Sequence, residues 1–262
     1  MISRDLVLIA LLLLIWGCGQ KNLPEDLTAQ ELFNRGEMEL EGGDQGKAVE
    51  SFQRIIYEFP GSEYVEKARL KLADARFLSG DYLLAANEYE RFSRDFPLNP
   101  KADEALFKAA YSHEKVSEAY SLDQTETQKA ISLYEAINGK YPDSDYADSA
   151  TVRCYFLKDR LAKKTFENGY FYYKRELYDS AIIYFETMIE EYESSSWLAA
   201  AYFYLAKSYD KLKLPDEARR VRLKLLEEYP MTIEAIEVMN EFPELIPSEP
   251  AIGENTKGGG TG

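Results

Sequence analysis

The sequence contains little cysteine, histidine or tryptophan: two Cys, two Trp and a single His among 262 residues. Cys18 belongs to an amino-terminal processing site, so Cys154 has no partner for a disulfide in the mature chain. We expect Cys154, in an apolar helical run, to be a buried and inert thiol. With His113 as the only histidine, no histidine-based metal cluster or catalytic dyad can form. The sequence therefore predicts a protein that is not an enzyme, with no metal, no cofactor and a structural role for His113.

Positive charge is also scarce. Lys and Arg number 31 against 46 Asp and Glu, which gives a net charge of −15. Such a surface repels phosphate backbones, so no nucleic-acid partner is expected. The exception is a basic cluster formed by Lys158, Arg160 and Lys163, which we interpret as a docking site for an acidic partner surface. The alternative is a solvated helix face with ordinary ion pairs four residues apart.

A long hydrophobic run is missing as well. The longest apolar stretch, residues 6–16, falls short of the roughly 20 residues that span a bilayer, but it fits the apolar core of a secretory signal. It is followed by Gly and Cys18, a pattern that resembles a bacterial lipoprotein processing site. This resemblance implies a signal peptide over 1–17, acylation of Cys18 and a tether over 18–28. Gly19, where Asp would retain the protein in the inner membrane, favours an anchor at the periplasmic face of the outer membrane. An ordinary secreted or membrane-tethered form is the alternative.

Five segments share a pattern of a small residue, an alanine, an aromatic residue and a proline, with a spacing of 37 residues between the first two segments and between the last two. The alanines are Ala48, Ala85, Ala130, Ala181 and Ala218. Four residues further come Phe52, Tyr89, Tyr134, Phe185 and, as the exception, Arg222. Twelve residues after each alanine come Pro60, Pro97, Pro142, Glu193 and Pro230. The small residues allow two helices to approach closely, the aromatic fills the space between one hairpin and the next, and proline stops the second helix.

These spacings are similar to those of the tetratricopeptide repeat and predict an all-α, right-handed superhelical solenoid of five helix-turn-helix units. The units are expected at 29–65, 66–102, 103–147, 148–198 and 199–235, followed by a disordered tail over 236–262. Fourteen extra residues before the fourth unit predict a first helix extended over about 144–175, since fourteen residues are close to four helical turns. Arg222 predicts that the last unit caps the stack with a polar outer face.

Several stretches resemble a more specific family. Residues 156–163 followed by 169–172, the Asp95-Phe96-Pro97 helix end and the turn at 141–144 are similar to the BamD family, five-repeat lipoproteins of the outer-membrane β-barrel assembly machinery. The resemblance implies a scaffold that docks on the periplasmic domains of the barrel-forming subunit and receives unfolded outer-membrane proteins. The alternative is a periplasmic repeat lipoprotein of another envelope system, serving pilotin or secretin assembly or associated with Tol.

The repeat register also places a set of apolar side chains along the first helices. They are Phe33, Leu70, Phe77, Phe107 and Tyr111. We expect this ribbon to line a groove for an extended, aromatic-rich peptide, such as the terminal strand of a barrel protein. In the alternative interpretation, the rings pack between neighbouring first helices and meet no ligand.

Overall fold

The computed structural model describes residues 27–117 and 123–246, which fall into two compact units divided between Ser79 and Gly80. All regular secondary structure in these described residues is helical. The first unit contains α1 (Ala29–Glu41), α2 (Gln45–Glu58) and α3 (Tyr64–Leu78). The second contains α4 (Tyr82–Asp95), α5 (Ala102–Val116), α6 (Thr125–Lys140), α7 (Ala147–Lys174), α8 (Tyr178–Glu191), α9 (Leu198–Lys211), α10 (Pro215–Glu228), α11 (Ile233–Glu241) and a 3-10 turn (Pro243–Leu245). The fold class is thus confirmed as all-α, with helical hairpins of the tetratricopeptide type.

In the first unit, close approach of α1 and α2 depends on Gly36. A Cβ built there would lie 2.7 Å from Cε1 of Phe52, and Phe52 and Ala48 are both fully buried. Only glycine leaves room for the ring at this position. The helix itself begins at a reciprocal cap, in which the Thr28 hydroxyl accepts from the Glu31 N–H and the Glu31 carboxylate accepts from the Thr28 N–H.

The second unit repeats this arrangement between α7 and α8. A Cβ at Gly169 would lie 2.8 Å from Cε1 of the fully buried Phe185. The aromatic of the pattern therefore packs against the small residue of its own hairpin, and its ring also lies 6.2 Å from that of Tyr204 in the next hairpin, centre to centre, as expected. The five predicted alanines are all completely buried, as their role at helix contacts requires.

Four turns that follow a helix contain a residue in the left-handed region. Gly43 and Gly80 have φ of 78° and 83°, where glycine carries no steric penalty. Glu176 and Lys213 occupy the corresponding place later in the chain with φ of 62° and 61°. The turn geometry is therefore kept where the glycine is lost, at a cost of about 1–2 kcal/mol for each non-glycine residue.

The 28-residue α7 agrees with the predicted helix extension. Its buried residues from Ala150 to Leu161 belong to a core shared with α5 and α6. Those from Ala162 onward, including Phe166, belong to a second core shared with α8, α9, α10 and α11. One helix therefore serves two hydrophobic cores in succession.

The C-terminal end corrects two expectations. The disordered tail does not begin at 236, because α11 runs to Glu241 and Leu245 is buried against the last hairpin. Arg222 does not form a polar outer face either. It is buried, pairs with Asp210 and lies 3.8 Å from the centre of the Phe242 ring. The segment after α10 covers Arg222, and a carboxylate and an aromatic face compensate its buried charge. The remainder of the expected tail, 247–262, lies outside the described residues.

Candidate functional site

Within the second unit, an open groove of about 530 Å³ lies between the end of α5 and the first half of α7. Its walls are Glu114, Asp148, Ser149, Val152, Arg153 and Phe156. Val152 and Phe156 are one helical turn apart and largely exposed, Phe156 to 64%. The groove therefore has an apolar ridge on α7, and α5 contributes the Glu114 carboxylate to its wall.

The two predicted groove residues of α5 stand beside this groove. Phe107 and Tyr111 are one turn apart and both half-buried. The Arg153 guanidinium lies 4.6 Å from the Tyr111 ring centre and 5.9 Å from that of Phe107. The Phe107 ring also packs 5.0 Å from Tyr146 and 5.5 Å from Tyr134, centre to centre. These contacts fix the rings in place while part of their surface stays open to a ligand.

A polar network holds the floor of the groove. Arg153 donates to both carboxylate oxygens of Glu114, at 2.9 and 3.1 Å, and the Tyr134 hydroxyl donates to Glu114 at 2.7 Å. Burial, and then the hydrogen bond to the Glu114 carboxylate, raise the pKa of Tyr134 well above its usual range. Tyr134 therefore remains a neutral donor, and the network orients Arg153 over the aromatic rings.

The first unit gives a different result for its three predicted groove residues. Phe33 and Leu70 are only 8% and 7% exposed. The Phe33 ring packs 5.8 Å from Phe52 and 5.4 Å from Tyr64. Phe33 therefore belongs to the hydrophobic core of its unit, Leu70 is buried as well, and Phe77 is half-buried.

The basic cluster does not form one patch. Each residue of a helix is rotated by about 100° from the one before it, so Lys158 and Arg160, two positions apart, lie on nearly opposite faces of α7. Lys158 pairs with Glu135 of α6 at 2.6 Å, whereas Arg160 donates to the hydroxyls of Ser117 and Thr127. The interpretation of a single docking cluster is thus wrong for Arg160, because its guanidinium is engaged inside the protein.

Lys163 lies on a third side of α7. Its Nζ is 5.3 Å from the centre of the Trp197 ring and 3.9 Å from the Glu167 carboxylate. A separate notch of about 330 Å³ opens beside Tyr155 and Lys158, where α8 ends. Of the predicted docking surface, only the exposed side of α7 that faces this notch stays a candidate.

His113 has a structural environment, as expected. It is 3% exposed, with Nδ1 2.5 Å from Glu126 of α6 and Nε2 3.1 Å from Glu90 of α4. Lys129 also pairs with Glu126, at 2.7 Å. Burial opposes charge on the ring, but the hydrogen bonds to the two carboxylates outweigh it and raise the pKa of His113. Protonated His113 is the form that donates from both nitrogens and ties three helices together.

Cys154 is buried, as predicted, and burial raises the pKa of its thiol. A raised pKa disfavours the thiolate, which is the reactive form. Cys18 lies outside the described residues. Within the described part of the chain, no cluster of metal-ligating side chains occurs, and no helix has the length and apolarity to cross a membrane.

Sequence reasoning missed Arg153 and Asp159. Asp159 accepts hydrogen bonds from the Ser195 and Ser196 hydroxyls and from the Ser196 N–H, and so fixes the chain just before α9. Both residues lie on the α7 extension. The signal available was the extension itself, since extra turns in a repeat array add surface that the repeat pattern does not explain.

Helical hairpins joined by tight turns, with an open aromatic groove between first helices, define a tetratricopeptide-type repeat protein. The chain belongs to the YfiO family of outer membrane lipoproteins, whose family model matches residues 25–225. The outer membrane protein assembly factor BamD of Rickettsia prowazekii (strain Madrid E) is 30% identical over 220 residues, covering 83% of this chain and 88% of the relative. BamD of Caulobacter vibrioides is 27% identical over 226 residues, with coverage of 83% and 74%.

Solved structures with a similar chain path are tetratricopeptide repeat proteins and MamA. The crystal structure of MamA protein aligns with a TM-score of 0.35 and 17% identity, covering 82% of this chain and 94% of that one. A thermophilic TPR protein of Thermus thermophilus aligns with a TM-score of 0.36 and 16% identity, covering 83% and 98%.

Proposed function

We propose that this chain is an outer-membrane lipoprotein scaffold of the β-barrel assembly machinery. It binds unfolded outer-membrane protein precursors and docks on the periplasmic domains of the barrel-forming subunit. The proposal draws on membership of an outer membrane lipoprotein family and on relatives named as outer membrane protein assembly factors. Attachment to the membrane is through acylated Cys18.

The groove between α5 and α7 is the observation that carries precursor binding. Strands of membrane barrels alternate apolar and polar residues. An extended strand of that kind could set its apolar side chains against Phe156 and Tyr111 while its backbone carbonyls accept from Arg153. The volume of about 530 Å³ is within the range of sites that hold a few side chains.

A double variant, Tyr111→Ser with Phe156→Ser, tests this assignment. Aromatic contacts are worth about 0.5–1.5 kcal/mol each beyond area burial, and about 1.4 kcal/mol is tenfold in affinity. We therefore expect about tenfold weaker binding of a peptide copied from the last strand of a barrel protein, measured by fluorescence anisotropy. Phe171→Ser is the matched control, because Phe171 is on the same helix and 50% exposed but lies outside the groove. Equal affinity of the double variant and the control would remove the groove from the proposal.

Docking is assigned to the side of α7 that carries Tyr155 and Lys158, beside the notch at the end of α8. The variant Tyr155→Ser with Lys158→Ser should release the barrel-forming subunit in copurification while peptide affinity is retained. The groove variant should do the reverse. If both variants lose both activities while circular dichroism shows intact helices, one continuous surface serves both, and the division of roles is wrong.

A further inference from the structure

The last helix, α11, has apolar side chains on both of its faces. Its inner face buries Ala235 and Val238 against the hairpin of α9 and α10. Its outer face leaves Ile233 76% and Ile236 48% exposed. Met231, in the turn before the helix, is exposed too. Removing an isoleucine side chain from water is favourable, so two exposed isoleucines one turn apart are a surface suited to a partner.

The chain segment that carries this surface has charged side chains of one sign only. Between Lys224 and Lys257 the sequence contains no lysine or arginine and eight glutamates. At 100° per residue, Glu234, Glu237 and Glu241 line the edge of α11 beside the strip formed by the two isoleucines. Glu237 pairs with Lys207 of α9 at 2.9 Å, and its side chain is still 54% exposed. The outer face of α11 thus has an isoleucine strip next to a glutamate strip.

The isoleucine strip and the glutamate strip together indicate which kind of partner can bind this face. An anionic bilayer would be repelled by the glutamates, and a second copy of the chain would bring the same glutamates against them. The chain's own residues after 246 match the surface poorly as well, because they include Glu249 and Glu254 and only one cation, Lys257. What matches the surface is a helix with apolar residues at spacings of three and four and with lysine or arginine along one edge.

We propose that the outer face of α11 is the docking site for a basic amphipathic helix of a partner protein. Apolar residues of that helix cover Ile233 and Ile236, and its cations face Glu234, Glu237 and Glu241. The inference does not depend on the proposed function, because the site is remote from the groove residues of α5 and α7 in sequence and uses none of them. The family model also ends at residue 225, so the surface belongs to a part of this chain that the family match does not include.

A synthetic peptide can test the surface directly. The probe is an amphipathic helix of about 18 residues, roughly 27 Å long, with leucines at spacings of three and four and lysines along one edge. Binding to the full chain is measured by fluorescence anisotropy. Ile233→Ser with Ile236→Ser should weaken it at least tenfold, and Glu234→Lys with Glu241→Lys should also weaken it and flatten its dependence on salt. Ile183→Ser is the matched control, since Ile183 of α8 is 63% exposed; it should bind like the parent. All these side chains face outward, so the melting temperatures should stay close to that of the parent.

Four results would overturn the proposal. The first is that the isoleucine double variant binds the probe peptide with the same affinity as the parent. The second is that a peptide of the same composition with scrambled leucine spacing binds the parent as well as the probe does. The third is self-association of the parent in sedimentation that the double variant loses, which would make a second copy the occupant. The fourth is flotation of the parent with phosphatidylglycerol vesicles that the double variant loses, which would assign the face to a membrane surface.

Discussion

Two glycines in helices should respond to alanine substitution with opposite signs. Alanine in place of glycine normally stabilises a helix by roughly 0.5–1 kcal/mol. At Gly169, however, the new methyl would lie 2.8 Å from the Phe185 ring. That ring is fully buried and packs 5.8 Å from Phe166 and 6.2 Å from Tyr204, centre to centre, so it cannot swing away. Overpacking of this kind costs about 1–3 kcal/mol, which exceeds the helical gain, and we expect a net loss of about 1 kcal/mol.

Gly139 supplies the matched control. It is an exposed residue near the end of α6, and a Cβ there would have no neighbour within 4 Å. Gly139→Ala should therefore stabilise the protein by about 0.5 kcal/mol. Urea unfolding followed by circular dichroism measures both variants, and each change of about 1 kcal/mol should shift the melting temperature by about 2–4 °C. A Gly169→Ala protein as stable as the parent would show that the hairpin tolerates a larger residue and that the spacing argument is wrong.

Further predictions concern pH, turn geometry and anchoring. The raised pKa of His113 means that its stabilisation is complete below the unfolded pKa of about 6.5 and is lost as pH rises through the folded value. The free energy of unfolding should therefore fall with rising pH more steeply in the parent than in His113→Gln. Equal slopes would contradict the interpretation that protonated His113 links Glu90 to Glu126. Lys213→Gly should raise stability by about 0.5 kcal/mol in thermal melts, since it removes a left-handed penalty of about 1–2 kcal/mol and adds unfolded-chain entropy; a loss would mean that the lysine stem makes compensating contacts. Cys18→Ser should release the protein from membranes or leave it unprocessed, whereas a processed variant that still fractionates with the outer membrane would refute lipid anchoring.

Much of the fold could be predicted because its determinants are local and repeated. Alanine at a helix contact and proline after a helix act through the backbone of their own segment. The predicted alanines are accordingly buried, and α2 ends at Glu58, two residues before Pro60. The length of α7 was predictable for the same reason, since the extension keeps the helical register.

The site was harder to predict because exposure and pairing depend on neighbours that the register does not specify. Phe33 holds a groove position in the register, yet Phe52 and Tyr64 cover it within its own unit. Arg160 is close in sequence to Lys158, but the helix places the two side chains on different faces and gives Arg160 hydroxyl partners. Arg153 carries no repeat signature, because its role arises from the meeting of α5 and α7.

Departures from the repeat pattern coincide with the surfaces proposed for binding, and the physical reason is the same in each case. In a regular array, each helix face is covered by the next unit. The extension of α7 interrupts that order: its first half joins one core and its second half another, and Val152, Tyr155 and Phe156 on it are exposed among the residues that the structure describes. In the described part of the chain, α11 is the last α-helix, and its two isoleucines are exposed. Where a repeat protein breaks its own period, it exposes apolar surface that a regular unit would have buried, and at those breaks partner binding can be sought first.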